Sequence, residues 1–190
     1  MKFILSVAIA IIFVGVPAFS QSKSNVEIRQ QMRALRAENN ITLSHDAASN
    51  MSKLMAVSEN FTESDARKAD IQAMNFAAGF FYAGDSLEHK PKEIQLTFWV
   101  LSKKPRFGTA HSFRVFLPDE ILDLGDSRYV ARTRDNMEYL NFNISREDLS
   151  KIASNSNVRF ELGRETFTFT KDQLQMLANL LLLSDAAHKN

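Results

Sequence analysis

The sequence predicts an α+β protein: N-terminal helices followed by an antiparallel sheet or small sandwich, with two covering helices near the C-terminus. Three observations carry this. One short pattern is written twice, Phe142-Asn143-Ile144-Ser145-Arg146-Glu147-Asp148-Leu149 and then Phe167-Thr168-Phe169-Thr170-Lys171-Asp172-Gln173-Leu174. Ile94, Leu96, Phe98 and Val100 alternate strictly with their neighbours, the period of a strand. Before residue 84 the apolar residues recur instead at spacings of three and four, as in Ile28, Met32 and Leu35, the period of a helix.

In both copies of the repeat, alternating apolar residues give a strand, and a hydroxyl residue then stands three places before a side chain able to close a capping box. Leu149, Ile152 and Ala153 of the first copy correspond to Leu174, Leu177 and Ala178 of the second, at helical spacing. Between the copies Val158, Phe160 and Leu162 alternate with polar residues, and Gly163 supplies the turn of a hairpin. A helix laid over one apolar face of an antiparallel sheet buries both stripes, hence the α+β expectation.

The chain opens with a basic Met1-Lys2, an apolar run from Phe3 to Val16, and small residues at Ala18 and Ser20, the pattern of a cleaved secretory signal. Residues 1–20 are therefore expected to be a signal peptide, with cleavage after Ala18 or Ser20, and the protein to be secreted or periplasmic. The apolar run is shorter than the roughly 20 residues of a membrane span, so no stable membrane span is expected after cleavage. Residues 21–84 are expected to form a helical N-terminal region and residues 85–190 an antiparallel α+β domain.

Loss of residues 1–20 removes Lys2 and no acid, turning 23 basic and 22 acidic residues into 22 of each. No global field then draws the protein to nucleic acid. Lys90, Lys92, Lys103, Lys104, Arg106, Arg114, Arg128, Arg132 and Arg134 concentrate positive charge in the middle, interspersed with Glu88, Glu93, Asp119, Glu120, Asp123 and Asp126, as on a mixed solvated face. The absence of cysteine excludes disulfides, thiol catalysis and thiolate metal sites.

A first helix is expected from residue 24 to about Asn39-Asn40. Ser44 would cap a second, carrying Ala47, Ala48, Met51, Leu54 and Met55. A third would open at Thr62-Glu63-Ser64-Asp65 and carry Ala66, Ala69, Ala73, Met74, Ala77, Ala78, Phe80 and Phe81 to an exit at Gly84. Core packing is the ordinary account of such helices. Met74, Phe80 and Phe81 would instead mark a partner-binding arm if exposed.

From Leu87 the pattern is that of strands. After Pro91 comes the run Ile94–Leu101, whose second face carries Trp99 and Leu101, suggesting a central strand covered on both sides for part of its length. Lys103–Thr109 reads as a basic loop, His111–Leu117 and Ile121–Leu124 as strands, and Arg128–Arg134 with Met137–Ile144 as a hairpin around Asp135-Asn136. Six or seven strands result, enough for one sheet or a small sandwich.

The succession Phe113 to Leu117, Tyr129, Ile144-Ser145-Arg146-Glu147-Asp148-Leu149-Ser150-Lys151-Ile152-Ala153, Val158 to Gly163 and Phe167-Thr168-Phe169 resembles a group of uncharacterised exported bacterial proteins, over about residues 94–183. That resemblance implies export and no particular activity or site.

No catalytic, metal or nucleotide motif stands out, and whether the protein is an enzyme stays open. His45, His89, His111 and His188 match no metal-ligand spacing. Asp119, Glu120, Asp123 and Asp126 lack the regular arrangement of a calcium loop. Gly125-Asp126-Ser127-Arg128 lacks the second glycine of a nucleophile elbow. Asn40, Asn50, Asn60 and Asn143 begin glycosylation sequons, relevant only in a eukaryotic secretory route. No cofactor is called for. Two functions remain: a non-catalytic binding or interaction module holding another envelope or extracellular protein, or a hydrolase or small-ligand-binding protein with a dispersed site near Trp99, His111, Arg114 and Arg128.

Overall fold

The computed structural model describes residues 22–61, 70–132, 134 and 136–185. Lys23–Ser24 (β1) leads into helix α1, Asn25–Ala34. Ser24 starts the helix by accepting from the Glu27 amide while the Glu27 side chain returns to the Ser24 amide, so two otherwise orphan donors are satisfied together. Arg36 at φ 52° then turns the chain out, with the Ala37 amide donating back to Met32 O at 2.9 Å, the left-handed exit that usually falls to glycine. The helix thus stops before Asn39.

The two further helices expected before residue 84 are not present where the structure describes the chain. Their residues form β2 (Ile41–Asp46), β3 (Met51–Val57) and β4 (Ile71–Ala83), while Thr62–Asp65 lies outside the described residues. In β3 the buried residues are Ser52, Leu54 and Ala56, a period of two. In β4 Phe76, Ala77, Ala78, Gly79 and Phe80 are all buried, because the strand lies between β3 and β6 and small residues fill its second face. A stretch with large residues inward and small, shadowed ones outward is buried at every position and loses its alternation, and its alanines favour a helix in isolation.

The remaining strands are β5 (Ser86–Leu87), β6 (Glu93–Ser102), β7 (Ser112–Phe116), β8 (Ile121–Asp126), β9 (Arg128–Arg132), β10 (Met137–Ser145), β11 (Arg159–Leu162) and β12 (Glu165–Thr168). Helices α2 (Arg146–Ala153) and α3 (Lys171–Leu183) follow the two repeated strand-cap patterns. Thr170 and Gln173 close a full capping box; Ser145 accepts from the Asp148 amide and donates its hydroxyl to the Asp148 carboxylate.

All pairings are antiparallel and build three sheets: β2-β3-β4-β6-β10-β9, β12-β11-β7-β8, and the short pair β1-β5. Strands from both sides of residue 84 thus share the large sheet. Its inner face meets the four-stranded sheet through a phenylalanine cluster. Phe98 lies 5.4 Å from Phe113 and 5.6 Å from Phe160, and Phe160 lies 4.4 Å from Phe169, between ring centroids. Such ring pairs add about 0.5–1.5 kcal/mol each beyond the area they bury.

Helix α3 has no basic residue in its last turn, so its terminal carbonyls need donors from elsewhere. They come from β1 and from the start of α2. The buried Lys23 donates to Leu183 O and Asp185 O at 3.1 Å, and Arg146 donates to Leu181 O at 3.0 Å and to the Asp185 carboxylate at 2.7 Å.

Candidate binding surface

The structure separates the residues that the sequence singles out. Met74 and Phe80 belong to the inner face of the large sheet and are buried, whereas Phe81 points the other way and is 55% exposed. There is no helical arm for them to occupy. Trp99 and Arg128 lie on the outer face of the large sheet, in register with Tyr139 and Asn141 respectively. Arg114 is on the opposite side of the molecule, on the outer face of β7, where it pairs with Glu161 at 2.6 Å. Since the two sheets meet through their inner faces, Trp99, His111, Arg114 and Arg128 do not converge on one pocket.

The outer face of the large sheet is the feature that sequence reading misses. β6 is central, as its composition suggests, but no described element packs on its second face. The apolar residues there, Met55, Val57, Trp99, Leu101, Met137 and Tyr139, are absent from the cluster that forms the core. Register places them in rows. Trp99 stands opposite Tyr139, and Tyr139 opposite Val130, which is 45% exposed; Leu101 stands opposite Met137. Directly opposed side chains of an antiparallel pair share a face, about 4.5–5.5 Å apart at Cβ, so these rows form one continuous strip. On β6 and β10 the next rows toward the other end are polar, Thr97 opposite Asn141 and then Gln95 opposite Asn143, and these two rows continue across β4 to Val57 and Met55 on β3. Asn141 is fixed between the Thr97 hydroxyl, which it accepts at 2.9 Å, and Arg128 O, to which it donates at 3.1 Å.

The basic residues of the middle segment sort by location. Arg106, Arg114 and Lys90 hold Glu165, Glu161 and Asp185. Lys103 and Lys104, exposed just beyond Leu101, and Arg128 and Arg134 on the β9 side form no ion pair among the described residues. Lys103, Lys104 and Arg134 therefore rim the Trp99 end of the open face with positive charge, while Arg128 stands at the Thr97-Asn141 row, close to the exposed Asp126.

Behind that rim is a buried carboxylate. Glu138, 1% exposed, accepts the Arg106 amide at 2.9 and 3.0 Å, the Phe107 amide at 2.9 Å and the Tyr129 hydroxyl at 2.9 Å. Burial and this bond to Glu138 push the Tyr129 phenol up to about 12. His111 stacks on Tyr129 with ring centroids 5.8 Å apart. Its Nδ1 and the Oγ of the neighbouring Ser127 are buried without a hydrogen-bond partner. The Glu138 carboxylate is taken up by two backbone amides and the Tyr129 hydroxyl, so it holds the loop between β6 and β7 in place.

The other histidines are dispersed. His45 is on β2 with Nδ1 3.0 Å from Ser52 Oγ, His89 is exposed in a loop, and His188 lies outside the described residues. Glu120 pairs with Lys151 at 3.2 Å and Asp123 accepts the Gly125 amide at 3.1 Å. Among the described residues no three His, Cys, Asp or Glu gather where they could hold a metal ion. A polar groove beside α3, with two lobes of about 230 and 290 Å³, is lined by Arg36, Asn40, Glu59, Asp172 and Met176 among others. Two of its amides are engaged with each other, Gln175 donating to Asn179 at 3.0 Å.

Among the described residues no helix is long and apolar enough to cross a membrane. Comparison with known proteins gives no match, whether to a family model, a curated protein or a solved structure.

Proposed function

We propose that the protein is an exported, non-catalytic binding module that presents the open face of its six-stranded sheet to another component of the envelope or extracellular space. The observation that carries this reading is the Trp99-Tyr139-Val130 row on a face that no described element covers. An antiparallel sheet can face water on one side, but that side is then normally polar. Large aromatic side chains held in line on a rigid sheet are instead the usual anchors of binding surfaces. Export rests on the n-region, apolar run and small residues of positions 1–20.

The test is site-specific photocrosslinking in the cells that make the protein. A photoreactive residue replaces Val130, on the open face, or Ile121, which is 63% exposed on β8 of the other sheet. Adducts formed from position 130 and not from 121 are the expected result. Equal labelling from both positions would remove the open face from consideration.

A further inference from the structure

We propose that the open face takes an acidic polysaccharide. This rests on the reading of that face as the binding surface and adds the chemistry of what it binds.

A sugar ring has two kinds of surface, an apolar face of C–H groups and a rim of hydroxyls. Planar aromatic side chains meet the first, and amides, which both donate and accept, meet the second. The open face supplies these in adjacent rows. Trp99 and Tyr139 stand side by side across β6 and β10. Neither the Trp99 indole N–H nor the Tyr139 hydroxyl has a bond within the described residues, so both polar tips are available. Two rows further on, Gln95 and Asn143 are exposed opposite each other, with Asn141 fixed between. From Trp99 to Gln95 the strip runs roughly 13 Å along the strand, room for a short stretch of polymer.

The charge selects the kind of polymer. Lys103, Lys104 and Arg134 are exposed around the Trp99 end, where Asp70 is the one exposed carboxylate among the described residues of β4, β6, β9, β10 and their joining residues; Arg128 stands at the amide row, where the exposed Asp126 is close by. The acids on the face itself, Asp46 and Glu93, sit at its far end, at the termini of β2 and β6. A second copy of this chain packed symmetrically on the strip would set cation against cation. An acyl surface would press the amide rows into an apolar layer without partners. A polyanion bearing hydroxyls satisfies the aromatic pair, the amides and the cations together.

The experiment measures binding of residues 21–190 to polygalacturonate by titration calorimetry at two salt concentrations. Methyl-esterified polygalacturonate, poly-glutamate and phosphatidylglycerol vesicles are the comparison probes. Saturable binding to polygalacturonate is expected, at least tenfold weaker to the ester and to poly-glutamate, and weakened by salt. Trp99→Ala should lower it at least tenfold. Lys103→Glu with Lys104→Glu, in a loop outside the sheet, should lower it as much and flatten the salt dependence; this pair keeps the test decisive should the Trp99 variant fail to fold. Binding to poly-glutamate as tight as to polygalacturonate, or polygalacturonate binding indifferent to both variants, would overturn the proposal. Trp99-dependent binding to the vesicles or the ester alone would overturn the acidic polysaccharide and leave the binding face standing. Absence of binding to all four would also overturn it, and the Val130 crosslinking then decides separately whether the face binds anything.

Discussion

Tyr129 donates its hydroxyl to Oε1 of Glu138 at 2.9 Å, and the same carboxylate gathers the amides of Arg106 and Phe107. One side chain of β10 thereby ties the edge strand β9 to the loop between β6 and β7, the loop that carries Lys103 and Lys104. Glu138→Ala strands these donors in a buried place, and each costs about 1–3 kcal/mol when left without a partner. The expected outcome is a loss of about 3–5 kcal/mol in urea unfolding, with faster amide exchange at Arg106 and Phe107.

The same bond sets a pH dependence. Tyr129 in the folded protein has its phenol raised from 10.0 to about 12, so folding favours the protonated form. That stabilisation is complete below pH 10 and is lost as pH rises through the folded value near 12. Burial raises Tyr82 as well, so Tyr129→Phe should lessen the fall in stability between pH 10 and 12 and not abolish it. Urea midpoints across that range check this; an unchanged slope in the variant would rule Tyr129 out as the cause.

Phe160 is fully buried and touches rings from three parts of the chain: Phe61, Phe98 and Phe113, and Phe167 and Phe169. Phe160→Ala should cost about 3–5 kcal/mol, measured by chemical denaturation. Because those rings join both large sheets, the loss should appear in one cooperative transition.

Adjacent residues of β4 offer a sharper test of which face is inside. Phe80 is 5% exposed and Phe81 is 55% exposed under the Lys53 ammonium, 5.4 Å from the ring centroid. Phe80→Ala is expected to cost about 3–5 kcal/mol, and Phe81→Ala less than about 1 kcal/mol, the worth of an exposed cation–π contact. Thermal or urea unfolding of the two variants side by side distinguishes a strand from a helix here. On a helix their side chains would lie about 100° apart and the costs would be closer.

What the sequence makes legible follows from where each element lies. β6, β7 and β10 alternate because one face of each is buried, and Ser145 and Thr170 announce their helices because capping is local chemistry. β4 is illegible for the opposite reason: Phe76 to Phe80 are buried without interruption, and Ala73, Ala77 and Ala78 fall at a helical spacing by accident of composition. β3 misleads through Met51, Leu54 and Met55, whose spacing mimics a helix while Ser52 and Ala56 occupy the buried positions. The open face is illegible altogether. Trp99 reads as a second covered face, and only the register that sets it beside Tyr139, forty residues later, turns two scattered aromatics into a surface.

The clasp of Lys23 on the end of α3 joins residues 160 apart in sequence, from Lys23 to Leu183. Contacts of such separation are entropically late, and chains rich in them fold slowly. Arg146 and Ser184 can reach Leu181 O from nearer in sequence, but Leu183 O and Asp185 O receive the Lys23 amine, which makes the docking of β1 on α3 a late event in folding rather than a seed for it. A chain interrupted before residue 181 would leave Lys23 searching for acceptors that do not yet exist, and would keep its first strand undocked until the last turn of helix arrives.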